Sequence, residues 1–152
     1  MQVHKRLALV TAAVALGAGL AGTVPAQAAQ PSLSTQAATQ RRDICFSGAC
    51  GSATVHFQDR WRASVSMSVA DNRCDKHAAE IRIIAHQWSY ANQVGYTWKG
   101  PWRVNKLGCN KGPVPWNNKP FAGGDVLMGF KVEACVKGTS KCKTSSEMSN
   151  PY

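Results

Sequence analysis

The stretch Trp61-Arg62-Ala63-Ser64-Val65-Ser66-Met67-Ser68-Val69-Ala70 decides the fold. Trp61, Ala63, Val65, Met67 and Val69 alternate with Arg62, three serines and Ala70. A period of two places one set of side chains in a core and the other in water, the pattern of a half-buried strand. Upstream, Val55 and Phe57 alternate with Thr54, His56 and Gln58, and Asp59-Arg60 supplies a turn between the two runs. Downstream, Asp71 to Lys76 reads as a turn, and Ile81, Ile83 and Ala85 alternate with Glu80, Arg82, Ile84 and His86. The β-branched run Ile81-Arg82-Ile83-Ile84 favours strand over helix.

A long strand is expected where Val126, Met128, Phe130, Val132, Ala134 and Val136 alternate with Leu127, Gly129, Lys131, Glu133 and Cys135. Residues 88–121, broken by Gly95, Gly100, Pro101, Gly108, Gly112, Pro113, Pro115 and Pro120, are expected to be irregular. Short strands fit only around Tyr96-Thr97-Trp98 and Trp102-Arg103-Val104. No helical period appears past position 28. The expected fold is therefore all-β: an antiparallel β-sandwich or small barrel of six to eight strands.

The N-terminus reads differently. His4, Lys5 and Arg6 precede an apolar run from Leu7 to Val24, and Pro25 comes just before Ala26-Gln27-Ala28. These are the three parts of a secretory signal peptide over residues 1–28, with cleavage expected after Ala28. A membrane anchor fits less well, since the run is rich in Gly and Ala and no basic stop-transfer cluster follows. Residues 29–43 hold no aromatic and many Gln, Ser, Thr and Ala, and read as a flexible leader. A single domain over 44–152 then carries all six Cys and all five Trp.

Six Cys in an exported chain read as three disulfides rather than as metal ligands, since no C-x2-C pair is present. For one pair, geometry can be counted. A two-residue Gly138-Thr139 turn would set Lys137 opposite Ser140, Val136 opposite Lys141 and Cys135 opposite Cys142. Cys45 and Cys50 flank Phe46-Ser47-Gly48-Ala49, which suits a tight local loop, leaving Cys74 with Cys109. No metal or cofactor is expected.

The charge is strongly positive, with 18 Lys+Arg against 8 Asp+Glu. Loss of residues 1–28 removes only Lys5 and Arg6 from this balance. Such a surface attracts anionic polymers, and Arg41-Arg42, Arg60 with Arg62, and Lys137, Lys141 and Lys143 are its local concentrations. No nucleic-acid motif is present, so no specific nucleic-acid partner is expected. With 44% hydrophobic and 17% charged residues, wholesale disorder is excluded.

Three functions compete. The first is binding without catalysis, to polysaccharide or an anionic cell-envelope polymer, through the aromatic segment 88–121. Trp98, Trp102, Trp116 and Tyr96 offer rings for stacking, and Lys99 offers a charge. Lys119, Asn92, Asn105, Asn117 and Asn118 stand ready for hydroxyls or acidic groups. Trp88 and Tyr90 complete the aromatic set, which could equally complete the core. The second is a small secreted ribonuclease, with Glu80, Arg82 and His86 on one strand face and His56 on another. The third is inhibition of an extracellular protease through the loop Lys111-Gly112-Pro113-Val114-Pro115 beside Cys109. Binding by a secreted monomer is the expectation; catalysis is not.

Several residues also carry a resemblance: Val69-Ala70-Asp71, Cys74-Asp75-x-His77-Ala78, Val132-Glu133-Ala134-Cys135-Val136, Cys142-x-Thr144-Ser145-Ser146 and Asn150-Pro151-Tyr152. With them the chain resembles small secreted, disulfide-containing β-domain proteins of actinobacteria (Streptomyces type). The resemblance implies exported β architecture and supplies no catalytic residues.

Overall fold

The computed structural model describes residues 38–152; the expected signal peptide and most of the expected leader lie outside them. Ten strands run in the order β1 (Thr39–Phe46), β2 (Ala49–Phe57), β3 (Arg62–Asp71), β4 (Ala79–Ser89) and β5 (Val94–Lys99), then β6 (Arg103–Val104), β7 (Val114–Ala122), β8 (Val126–Val136), β9 (Cys142–Thr144) and β10 (Met148–Ser149). All their pairings are antiparallel. One sheet has the order β1-β2-β3-β7; the other runs β10-β8-β4-β5, with β6 on the edge of β4 and β9 on the edge of β8. The fold is an antiparallel sandwich with more strands than the six to eight expected.

Alternation builds the core. Val55 and Phe57 of β2, Val65 and Val69 of β3, Ile81 and Ala85 of β4, and Phe130 and Val132 of β8 are buried between the sheets. Burying such side chains contributes about 1.5–3 kcal/mol each. Sheet spacing is set in part by Gly51, where an added Cβ would lie 2.6 Å from Ile81.

Four expectations change. Residues 39–43 belong to β1 and not to a leader; the strand escapes notice because Ile44 is its only buried residue. Trp61, expected inside, is exposed at the turn before β3, where Arg60 stacks on its ring. Leu127, not Met128, faces inward, because the β4–β8 ladder shifts by one residue after His86. Eight residues of the segment expected to be irregular, 114–121, belong to β7. Pro115 and Pro120 are tolerated there because β7 is an edge strand that needs only one row of hydrogen bonds.

The disulfides are Cys45–Cys50, Cys74–Cys109 and Cys135–Cys142. Val136 bonds Lys141 and Cys135 pairs with Cys142, the register counted from the sequence. The turn itself is wider than counted. Thr139 donates its N–H to the Val136 carbonyl, so Lys137 and Gly138 are its central residues. One extra residue on each arm leaves the register unchanged. In the β1–β2 hairpin, Ser47 and Gly48 both have positive φ, the two-residue arrangement that matches strand twist.

Candidate functional site: an aromatic groove at the open edge

Strands β5 and β6 form one interrupted edge strand on β4. Lys99 pairs with Ile84 and Arg103 with Ile81, so Gly100, Pro101 and Trp102 oppose only Arg82 and Ile83. This is a bulge, held by a hydrogen bond from the Gly100 N–H to the Ile83 carbonyl at 2.9 Å. Gly100 is needed at this point, since a Cβ would come within 3.1 Å of the Trp98 ring.

The edge of the other sheet, β7, contains a second bulge. Lys119 pairs with Val65 and Trp116 with Met67, one extra residue on β7. In a regular strand residues 116 and 119 would point to opposite faces; here both share the face of the core residues Val65 and Met67. Asn118, at φ 47°, takes up the irregularity, its N–H bonded to Ser66 Oγ at 2.9 Å.

Between these edges the sandwich stays open. A ladder of rings runs outward from the core. Phe57 lies 5.9 Å from Phe130, Phe130 5.0 Å from Phe121, and Phe121 5.5 Å from Trp98, which is 41% exposed. The two edge-to-face contacts, Phe130–Phe121 and Phe121–Trp98, add about 0.5–1.5 kcal/mol each beyond burial. Around Trp98 is a cleft of about 130 Å³, floored by Val65, Met67 and Ile83 and rimmed by Lys119 and Arg103. Arg103 also lines a neighbouring cleft of about 410 Å³ whose walls include Trp102, Trp116 and Leu107, with Lys106 beside them. Chemically, the pair of clefts offers aromatic faces interleaved with positive charge.

Three of the expected binding residues, Trp98, Trp102 and Trp116, therefore line this groove, Trp102 with one face of its ring already covered by the Arg82 guanidinium. Tyr96 does not: it lines a separate hollow of about 320 Å³ with Trp88 and Met128. Its hydroxyl donates to Asp125 at 2.8 Å, and that bond, ahead of burial, pushes the phenol pKa up. Lys99 also lies outside, paired with Ile84 on the outer face of its sheet. Asn105 is buried and structural, its amide bonded to the Val69 and Gly112 carbonyls. Arg103 and Lys106 were not singled out from the sequence as site residues. The short strand around Trp102-Arg103-Val104 was legible, but its position on the open edge was not.

The ribonuclease candidates do not converge. Glu80 and His86 share the outer face of β4 but stand six residues apart, roughly 20 Å along a strand. Arg82 forks onto Glu133 at 2.6 Å while its guanidinium stacks 4.1 Å from the Trp102 ring. His86 bonds Glu147 at 2.8 Å through Nδ1. His56 lies on the outer face of the other sheet, bonded to Thr39. Glu80 has its pKa raised, chiefly by burial.

In the inhibitor candidate, Lys111 sits between Asn110 at φ 56° and Gly112 at φ 88°. Val114 and Pro115 of the same candidate already belong to β7 and pair with Val69 and Ser68 of β3. The cluster Glu133, Cys135 and Cys142 has metal-ligand residue types, but its sulfurs are bonded to each other and not available as thiolates. The arginine clusters are engaged as well: Arg41 pairs with Asp43 and Arg62 with Asp59. No protein-family model, curated protein or solved structure matches the chain.

Proposed function

We propose that this protein is a secreted, disulfide-stabilised module that binds polysaccharide without catalysis, the chain lying along the groove between β5–β6 and β7. One observation carries the reading: three tryptophans line two clefts that share Arg103, at an edge where neither sheet is covered. Rings held by paired strands or by the bulge between β5 and β6 lose little freedom when a sugar face stacks on them, so most of the contact energy survives as affinity. Export is supported by the signal-like segment 1–28 and by three disulfides in so small a domain.

The test is retention of the purified protein on insoluble polysaccharides at high salt. The Trp102→Ala/Trp116→Ala double variant should lose about tenfold or more in affinity while its circular-dichroism spectrum is unchanged. Full retention by the folded double variant, or no retention of the wild type on any polysaccharide, refutes the proposal.

A further inference from the structure

We infer that the polysaccharide held in the groove is acidic, its rings stacking on tryptophan while their anionic substituents meet Lys119, Arg103 and Lys106. This rests on the polysaccharide reading above and narrows it to a substrate class.

The inference comes from where the negative charge goes. The chain has only eight Asp and Glu. Asp43, Asp59, Asp75, Glu133 and Glu147 form ion pairs with Arg41, Arg62, Arg73, Arg82 and the His86–Lys131 pair. Asp71 accepts the Arg73 N–H, and Asp125 accepts the Tyr96 hydroxyl. Glu80 stands opposite Cys135 on the outer face of its sheet. None of the eight lines either cleft. Among the described residues, Arg103, Lys106 and Lys119 have no ion pair and no side-chain hydrogen bond.

Placement adds to this. The β7 bulge turns Lys119 onto the same side as Trp116, so a charge and a ring face the groove together. Arg103 sits where the two clefts meet, and a guanidinium binds a carboxylate through two parallel hydrogen bonds. A neutral sugar would leave these cations to solvent and draw no contact energy from them, whereas an acidic one pairs with them.

A single-stranded nucleic acid would also place rings and anions together. Such ligands are tracked by a continuous positive groove. Here the exposed Lys99 of β5 points to the outer face of its sheet, away from Trp98, and Lys141 and Lys143 belong to the hairpin arm that pairs with β8, at the other edge of that sheet. Charge in the groove is local and interrupted by tryptophan.

The experiment is a calorimetric titration against polygalacturonate, alginate and hyaluronan, each beside its fully methyl-esterified form, and against poly(U). The acidic form of at least one polymer should bind about tenfold more tightly than its ester. That gap should close in roughly 0.5 M salt, where screening acts within a few ångströms. It should close likewise in a Lys119→Gln/Arg103→Gln variant, whereas Trp102→Ala/Trp116→Ala should weaken both forms. Equal binding of acid and ester overturns the acidic class and leaves polysaccharide binding standing, as does retention of neutral polymers alone. Binding to no polysaccharide overturns the underlying reading too. Tighter binding to poly(U) than to any polysaccharide replaces the sugar chain by a nucleic acid.

Discussion

Both edges of the larger sheet are interrupted strands, yet they end in opposite states. At one edge, β5 and β6 are separated by Gly100-Pro101-Trp102; at the other, β9 and β10 are separated by residues 145–147. The second break is sewn to the opposite sheet. Arg42 donates to Ser146 Oγ and to the Glu147 carbonyl, both at 3.1 Å, and Gln40 donates to the Ser149 carbonyl at 2.7 Å. Met148 beneath them is fully buried. Across the first break, among the described residues, no hydrogen bond joins β5 or β6 to β7. The backbone device is the same; the side chains decide the outcome. Arginine and glutamine span the gap to carbonyls, whereas tryptophan and proline bring area with few donors, and an edge so furnished stays open.

That contrast can be broken, or made sharper, by mutation. The largest effect is expected from Cys74→Ser/Cys109→Ser, which frees the connection between β6 and β7 at the open edge. Loop entropy predicts a loss of ~4 kcal/mol in chemical denaturation. Proteolysis should appear first in residues 105–113, and early cleavage elsewhere would contradict this. Met148→Ala at the closed edge should cost about 2–5 kcal/mol. The fraction that remains folded should bind polysaccharide normally, since the cavity lies away from the groove.

Arg42→Ala should cost about 1–2 kcal/mol. It should speed hydrogen exchange in β10 while leaving β5 unchanged; equal acceleration at both edges would abolish the distinction drawn above. The smallest effect belongs to Glu80. Its carboxyl is raised above the ordinary value of 4.5 chiefly by burial, so stability associated with the protonated form is lost as pH rises through its folded pKa. Glu80→Gln should therefore raise the melting temperature slightly at neutral pH and not at all near pH 3.

How much was readable from sequence follows from the same geometry. Strand β3 announces itself because it is central and its alternation is unbroken from Ala63 to Asp71. Strand β7 hides because two prolines and a bulge spoil the period, although an edge position tolerates all three. The three tryptophans of the groove were conspicuous by composition. Nearness along the chain groups Tyr96 and Lys99 with them but says nothing of place or facing. Lys99 points to the opposite face of β5 from Trp98, while Tyr96 shares Trp98's face but is held away from the groove by Asp125 and Gln87, partners that nothing in the local sequence names. Likewise, Lys119 joins Trp116 only through a bulge whose sole outward sign is Asn117-Asn118.

The burial of Met148 has a consequence for biogenesis. Until that residue has emerged from the ribosome, Phe130, opposite it in the ladder, lacks its last covering methionine. A nascent chain stalled short of it would display sticky surface to any chaperone or protease nearby. Completion of the sandwich is thus tied to delivery of residues 145–150, a built-in check that the polypeptide has arrived that far.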